Sequence, residues 1–362
     1  MTVPSFIRKF DFVLLTIAVA LVFFGIATFY GIGSRSGEFI TRQLIFLGIG
    51  IVVMVLVSLF DYRILKNSSA ASIGIYLTSI FLLLLALASR EIRGVSSWIA
   101  FGGFTFEPAE IAKLALLILL AKYFSQKHVE IYRTHHILAS GVYALIPAAL
   151  TFIQPDLGSV VVLVILWMAM LLFAGIKRRH LLIILMTGLV ASSMAWFLVL
   201  RPYQKIRVQS FLNPYLDPRG SGYNTLQAQT TFGSGQLFGV VFDKKNNSST
   251  VSVPEPYNDF AFATFARKFG FAGVLALLSL LVILMLRIGS IATKTHNNFA
   301  KLFSLGFMTI VFTHVFINGG VNLGVLPITG IPFSFLSYGG SHLVTLMIGL
   351  GIIQNIRMND RA

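Results

Sequence analysis

The sequence has 362 residues, of which 56% are hydrophobic and only 11% are charged, and its mean hydropathy is +0.83. About a quarter of the residues of a soluble globular protein are charged, so this composition excludes an ordinary water-soluble enzyme. Cysteine is absent, which excludes disulfides, thiolate metal sites and a cysteine nucleophile. The net charge of +15 is scattered in small groups between apolar runs, which is typical of membrane orientation and not of nucleic-acid binding.

Ten apolar runs predict ten membrane-spanning helices, since one crossing needs roughly 20 apolar residues. They cover residues 12–31, 43–60, 70–89, 109–125, 138–153, 157–175, 180–200, 260–287, 301–323 and 338–356. Residues 1–9 and the first run lack a small-residue cleavage site, so we interpret that run as a span and not as a signal peptide. The sequence therefore predicts an all-α polytopic membrane protein in which residues 1–362 form a single transmembrane domain.

The basic residues orient these spans. If both termini are cytoplasmic, the cytoplasmic segments hold most of the Lys and Arg residues of the connections. The short outer loops then hold only Arg35, Arg42, Arg90 and Arg93. The positive-inside rule therefore predicts a multi-pass protein with both termini in the cytoplasm.

Two connections on the outer side are too elaborate for simple turns. Residues 201–259, between the seventh and eighth spans, contain five prolines, and a structureless loop of this length is uncommon unless it is functional or disordered. Within it, residues 244–250 have the composition of a mobile segment, and the remainder predicts irregular or short helical pieces; no periodicity indicates strands. Residues 324–341 are rich in Gly and Pro, which predicts a re-entrant segment lining a polar cleft.

Ionisable residues within the spans are candidates for function because burying them is costly. Glu110 and Lys113 lie three residues apart on the fourth span and so share a helical face. They form either a self-neutralising pair or a site where Lys113 meets an anionic ligand and Glu110 orients it. We interpret His314 and His342 as isolated histidines satisfied by hydrogen bonds, and no spacing of histidines and carboxylates predicts metal ligands.

Two aspartates stand at predicted helix starts on the outer side. Asp156 begins the sixth span, where we favour an N-cap role over catalysis. Asp259 ends the large loop behind Pro254 and Pro256, and is either an N-cap or a general base held at the membrane surface. Farther on, the Arg267-Lys268 pair cannot hide both side chains on one helical face, so one of them snorkels or lines a basic cavity suited to phosphate.

Six segments, in order, resemble the SEDS family of bacterial cell-wall proteins, the RodA, FtsW and SpoVE group. They are Phe106-Glu107-Pro108-Ala109-Glu110-Ile111-Ala112-Lys113, Gln154-Pro155-Asp156-Leu157-Gly158, Phe211-Leu212-Asn213-Pro214, Asp217-Pro218-Arg219-Gly220-Ser221-Gly222-Tyr223-Asn224, Gln227 with Gly233-Ser234-Gly235-Gln236-Leu237-Phe238-Gly239, and Leu326-Pro327-Ile328-Thr329-Gly330-Ile331-Pro332 with Leu336-Ser337-Tyr338-Gly339-Gly340-Ser341. The resemblance covers nearly the whole chain.

The resemblance implies a peptidoglycan glycosyltransferase that polymerises lipid II, with Asp259 as the base for the acceptor hydroxyl. Its pyrophosphate leaving group needs cations, for which Lys113 and Arg207 are the candidates; a divalent cation, Mg²⁺ or Mn²⁺, is left open. The remaining residues implied to bind substrate are Glu110, Asp156, Gln227, Ser337 and Tyr338. The implied partners are lipid II, undecaprenyl-linked glycan and a class B penicillin-binding protein, in the bacterial cytoplasmic membrane and without nucleic acid.

Some positions depart from the family pattern. Arg267-Lys268 stands where the family has an acidic pair, Glu107 replaces Gln, Ala109 replaces Ser, Ser97 replaces Arg, and Asn224 stands where Gln is common. Two other functions therefore stay open: a lipid II flippase and a catalytically weak scaffold for a transpeptidase. The concentration of polar features on the outer side favours the enzyme, and the short chain without long tails favours cell-wall elongation over division.

Overall fold

The computed structural model describes residues 9–32, 36–89, 97–101, 104–127, 134–217, 220–240 and 253–359. Its helices are α1 (Phe12–Phe29), α2 (Ser36–Leu59), α3 (Arg63–Asn67), α4 (Ser69–Leu87), α5 (Pro108–Lys127), α6 (Thr134–Ile153), α7 (Leu157–Phe173), α8 (Arg178–Leu198), α9 (Pro202–Leu212), α10 (Ser221–Gly233), α11 (Ala261–Lys294), α12 (Asn298–Asn322) and α13 (Gly340–Asn359). A 3-10 turn covers Pro214–Leu216, and two strands, β1 (Ile99–Phe101) and β2 (Phe104–Phe106), precede α5.

The ten long helices coincide with the ten predicted apolar runs. Seven of them are long and apolar enough to cross a membrane, namely α1, α2, α4, α6, α8, α11 and α12. Helix α7 is apolar but has only 17 residues, while α5 and α13 have 20 residues each and carry buried polar side chains. The prediction of a helical, multi-pass membrane protein is therefore confirmed.

Two details differ from the prediction. Helix α2 begins at Ser36, seven residues early, and its extra turns carry an ion pair between Glu38 and Arg42 (2.7 Å) that apolar periodicity does not register. Strands β1 and β2 form an antiparallel hairpin, with Ile99 opposite Phe106. Three residues are too few for strand alternation to show in a sequence, but the hairpin matters because Glu107 follows it directly.

Helix α13 packs along α2 through glycines that let the two backbones approach. A side chain at Gly351 would lie 2.8 Å from the carbonyl oxygen of Met54, which is closer than a Cβ atom can stand. Helix α5 is buried along most of its length among its neighbours. By contrast, none of the residues of α8 is buried, so most of the surface of this helix is exposed.

Helix α11 is broken at Gly270, whose φ of 68° and ψ of −171° are not helical. The turn that follows α10 satisfies the freed backbone groups. Phe271 N donates to Gln236 O (2.8 Å), Ala272 N donates to Leu237 O (3.0 Å), and Val240 N donates to Arg267 O (3.0 Å). Part of the predicted 201–259 connection is thereby bound to the bundle. Residues 244–250 of that connection lie outside the described residues.

Candidate active site

Asp259 lies at the end of the bundle where α7 and α11 begin and α12 ends. The N-cap position of α11 is held by Phe260 and not by Asp259. Its backbone carbonyl is bound by two asparagines of α12: Asn318 Nδ2 donates to it at 3.0 Å and Asn322 Nδ2 at 2.9 Å. Asn322 Oδ1 also accepts from Ala263 N (2.9 Å) in the first turn of α11. The pair of asparagines was not identified from the sequence.

The residues just before Asp259 are held by the segment between α12 and α13. Ser337 Oγ donates to Asn258 O (2.8 Å) and accepts from Phe333 N (2.9 Å), while Tyr338 N donates to Tyr257 O (2.8 Å). Ser337 and Tyr338, named above as substrate-binding residues, therefore contact the approach to Asp259.

Tyr257 is packed between aromatic rings at this end. Its ring stacks on Phe39 with centroids 4.1 Å apart, Phe39 meets Tyr338 edge-on at 4.9 Å, and the Tyr257 hydroxyl donates to the carbonyl of Ile32. Burial raises the pKa of Tyr257, so its hydroxyl remains a donor. Backbone hydrogen bonds and aromatic rings from other parts of the chain thus fix the residues before Asp259.

A buried polar cluster links three helices. Lys113 Nζ lies 2.7 Å from Glu110 Oε1 and 3.3 Å from His314 Nε2, while His342 Nδ1 lies 2.9 Å from Glu110 Oε2. The four residues are between 0% and 4% exposed. The intrahelical pair of Glu110 and Lys113, one of the two interpretations that the sequence left open, is thus present. The histidines are not isolated, because their rings stack with centroids 4.5 Å apart.

Three members of this cluster also have the geometry of metal ligands. Ligand atoms of Glu110, His314 and His342 all lie within 4.8 Å of one another, although no sequence spacing predicted it, because each residue comes from a different helix. The ammonium group of Lys113 already contacts two of the three. The ammonium group of Lys113 therefore already places a positive charge among these potential metal ligands.

Glu107 interacts electrostatically with this cluster and with Asp259. Glu107 stands between β2 and α5; burial and the negative charges of Glu110, Asp156 and Asp259 raise its pKa well above the usual range, opposed by Lys113. Asp156 Oδ1 accepts from Ser159 N (3.0 Å), which confirms the predicted N-cap of α7. Asp156 therefore combines a capping role with a place in this group of charges.

The turn at Asp156 packs closely on the segment after α12. A side chain on Gly158 would stand 2.7 Å from the carbonyl oxygen of Thr329, so only glycine allows this approach. The start of α7, the start of α11 and the 323–339 segment consequently form one packed end of the bundle.

Arg207 and Gln227 lie on the two helices between α8 and α11. Arg207 is exposed on α9, with its guanidinium 5.8 Å from the ring centroid of Tyr203. Gln227 is half-buried on α10, which packs against α11 and α12. Neither is part of the buried cluster of Glu110, Lys113 and the two histidines.

The Arg267-Lys268 pair resolves into two different environments. Arg267 is buried, whereas Lys268 Nζ donates to the carbonyl oxygens of Ala27 (2.6 Å), Thr28 (3.4 Å) and Tyr30 (2.5 Å) at the end of α1. Helix carbonyls at a C-terminus carry partial negative charge, so Lys268 stabilises that end of α1. Its contacts are structural, and a phosphate-binding cavity is not needed to explain it.

Comparison with known proteins identifies the family. A family model described as a cell cycle protein of the FtsW, RodA and SpoVE type matches residues 8–362. Peptidoglycan glycosyltransferase MrdB of Escherichia coli K12 is 30% identical over 97% of this chain and 94% of its own length. Stage V sporulation protein E of Bacillus subtilis is 32% identical over 89% of this chain and 88% of its own length.

Solved structures agree with this assignment. A chain of a peptidoglycan synthase complex, described for its structural coordination of polymerization and crosslinking, matches with a TM-score of 0.84 at 30% identity, over 96% of this chain and 97% of that one. The rod shape determining protein RodA of Thermus thermophilus matches with a TM-score of 0.72 at 28% identity, over 98% of each chain. The chain belongs to the FtsW/RodA/SpoVE family.

Proposed function

We propose that the chain is a membrane glycosyltransferase that polymerises lipid II, with Asp259 as its general base. The observation that carries the proposal is the double anchoring of Asp259: α12 binds its own carbonyl and the 333–338 segment binds the residues before it. A general base must be held in a fixed position to act. The relatives named peptidoglycan glycosyltransferases support the choice of reaction.

In this reaction the acceptor sugar's 4-hydroxyl attacks the anomeric carbon of the donor. The Asp259 carboxylate takes the hydroxyl proton, the new glycosidic bond forms, and the bond to the lipid pyrophosphate breaks with its electron pair on the leaving oxygen. Positive charge near that oxygen lowers the barrier. Lys113 is buried and contacts Glu110 and His314, so it acts through its field, whereas the exposed Arg207 can contact phosphate directly.

We also propose that a divalent cation, Mg²⁺ or Mn²⁺, contributes to the same step. The oxygen ligands that such ions prefer are present in Glu107, Asp156 and Asp259. Burial and, after it, the negative charges of Glu110, Asp156 and Asp259 raise the pKa of Glu107, and a cation would offset those charges. When bound, the ion would offset the charge of the pyrophosphate. The cluster of Glu110, His314 and His342 is less suited to it, because Lys113 supplies the cation there.

The proposed setting is the bacterial cytoplasmic membrane, with the Asp259 end outside and both termini inside. Basic residues at the opposite end support this orientation: Arg287 and Arg357 both bind Asp11 beside the start of α1. A similar chain belongs to a peptidoglycan synthase complex described for coordination of polymerization and crosslinking, which supports a class B penicillin-binding protein as partner. The similarity to a rod shape determining protein supports a role in cell-wall elongation.

The test uses purified protein, with its partner, in lipid nanodiscs supplied with labelled lipid II. Asp259→Asn keeps the size of the side chain but removes the base, so polymer formation should fall by about 10²- to 10⁴-fold. Asp217→Asn is the matched control, because this aspartate accepts from Ser221 N (2.7 Å) at the start of α10 and is assigned no role in the proposed reaction. Chelation of divalent cations should lower the rate, and adding back Mg²⁺ or Mn²⁺ should restore it.

Other outcomes distinguish the remaining hypotheses. Equal polymer from wild type and Asp259→Asn would remove Asp259 from the mechanism. Lipid II crossing the bilayer without polymer would indicate the flippase. Polymer that is made only by the partner protein would indicate that this chain is a scaffold.

A further inference from the structure

We propose that His314 and His342 are positioning residues for the reaction, each fixing one member of the Lys113–Glu110 pair through a defined ring nitrogen. The proposal rests on the proposed function, since it concerns the buried cation whose field would act on the pyrophosphate. Two imidazoles from two helices contact one ion pair on a third helix, and each contact has a single chemically allowed direction.

The direction of the hydrogen bond between His314 and Lys113 follows from the second contact of the His314 ring. Its Nδ1 lies 3.1 Å from the carbonyl oxygen of Pro332. A carbonyl can only accept, so Nδ1 carries the hydrogen and a neutral ring has a lone pair on Nε2. That lone pair faces Lys113 Nζ at 3.3 Å and accepts from the ammonium. His314 thus links the cation to the 323–339 segment.

The direction of the hydrogen bond between His342 and Glu110 follows from the chemistry of Glu110. Glu110 Oε2 is a carboxylate oxygen, so His342 Nδ1 donates to it at 2.9 Å. Lys113 uses the other oxygen, Oε1. With both oxygens bound from different sides, the carboxylate plane is fixed, and Glu110 cannot turn away from Lys113.

This network and the anchor of Asp259 use the same stripe of α12. His314, Asn318 and Asn322 follow one another at intervals of four residues and so lie along one face of the helix. Pro332, which accepts from His314, neighbours Ile331, whose carbonyl accepts from Asn318 Nδ2 at 2.8 Å. The cation and the base are therefore set by one helix face, and their separation depends on these bonds.

Amide side chains can replace each ring nitrogen separately. Asparagine places an N–H near the position of Nδ1, and glutamine places an amide oxygen or nitrogen near Nε2. His314→Gln keeps the acceptor for Lys113 and His314→Asn loses it. At the other histidine the order reverses, because His342→Asn keeps the donor to Glu110 and His342→Gln loses it.

The expected result is a crossed pattern in lipid II polymerisation. His314→Gln and His342→Asn should stay within about threefold of wild type, since each retains the bond to the ion pair. His314→Asn and His342→Gln should each lower kcat by roughly tenfold to a hundredfold with a smaller change in KM, the size of one hydrogen bond to a charged group. If the histidines only filled space, asparagine and glutamine would rank in the same order at both positions, and that result would overturn the proposal.

A spectroscopic experiment tests the same proposal without measuring activity. Protein with ¹⁵N-labelled histidine in bilayers is compared with His314→Gln, which identifies the His314 signals among those of seven histidines. The expected spectrum shows His314 protonated at Nδ1 and not at Nε2, with the Nε2 signal shifted in Lys113→Met. Protonation at Nε2, or no shift in Lys113→Met, would contradict the proposal even if the wild type polymerises lipid II. If a protein that makes no polymer gives the expected spectrum, the hydrogen bonds of the histidines are as proposed and the proposed function is wrong.

Discussion

The two asparagines that bind the Asp259 carbonyl allow the anchoring of this residue to be measured. Asn318→Ala removes one donor to that carbonyl and a second bond to Ile331 O. Asn322→Ala removes the other donor and the acceptor for Ala263 N. Each single variant leaves Asp259 O with one of these two bonds, and the double variant leaves neither.

The magnitude follows from the number of buried groups involved. Leaving a buried donor or acceptor unpaired costs about 1–3 kcal/mol, and Asn322→Ala does this to Ala263 N, so we expect each single variant to lose about 2 kcal/mol of unfolding free energy. The asparagines also bind each other, Asn322 Nδ2 to Asn318 Oδ1 at 3.0 Å. That shared bond is lost in either single variant, so the double variant should lose less stability than the sum.

The catalytic rate should behave in the opposite way. The Asp259 carbonyl connects these asparagines to the base, and in each single variant one of the two donors still binds it. We therefore expect about a tenfold loss in kcat for each single variant and more than the hundredfold product for the double variant, since a displacement of about 1 Å can cost roughly 10²-fold.

The assay combines initial rates of lipid II polymerisation in nanodiscs with thermal unfolding of the same samples. Thr309→Ala is the control: its hydroxyl bonds only within α12, to Leu305 O at 3.0 Å, so its rate should be unchanged. A double variant whose kcat equals that of the worse single variant would refute the idea that the two donors hold Asp259 together.

Two further predictions concern the packing around α11. Gly270→Ala should lower the free energy of unfolding by more than about 2 kcal/mol, because the new Cβ would stand 2.4 Å from Gly239 N at a residue with positive φ. Gly289→Ala is the control on the same helix, where the added methyl group meets open space. Thermal unfolding should show it to be neutral or stabilising. Lys268→Met should lower thermal stability through loss of its bonds to the end of α1, and should do so more than the exposed variant Lys294→Met. An unchanged melting temperature for Lys268→Met would instead favour a role of this lysine in ligand binding.

Local features of the site were predictable from sequence. Asp156 caps α7 through a bond that spans three residues, and Glu110 meets Lys113 at the same spacing on one helix. Such contacts depend only on helical geometry, which a sequence carries directly. The position of Asp259 came from the family resemblance, not from any local pattern.

Contacts between distant segments could not be read in the same way. Glu110 and His342 are 232 residues apart, and Lys113 and His314 are 201 apart, so no spacing announces them. The histidines therefore looked isolated, and Asn318 and Asn322 looked like ordinary polar residues of a span. The break at Gly270 likewise depends on a turn more than thirty residues earlier that supplies the missing hydrogen bonds.

By itself the sequence determined the helical membrane architecture and the family. In lipid, an apolar run long enough to cross must satisfy its backbone internally, so hydropathy leads directly to helices. Tertiary structure alone decided which polar groups meet. His314 of α12 joins the Lys113–Glu110 pair of α5, and two asparagines of α12 bind the backbone of Asp259, because burying these groups requires partners that only packing can bring into reach.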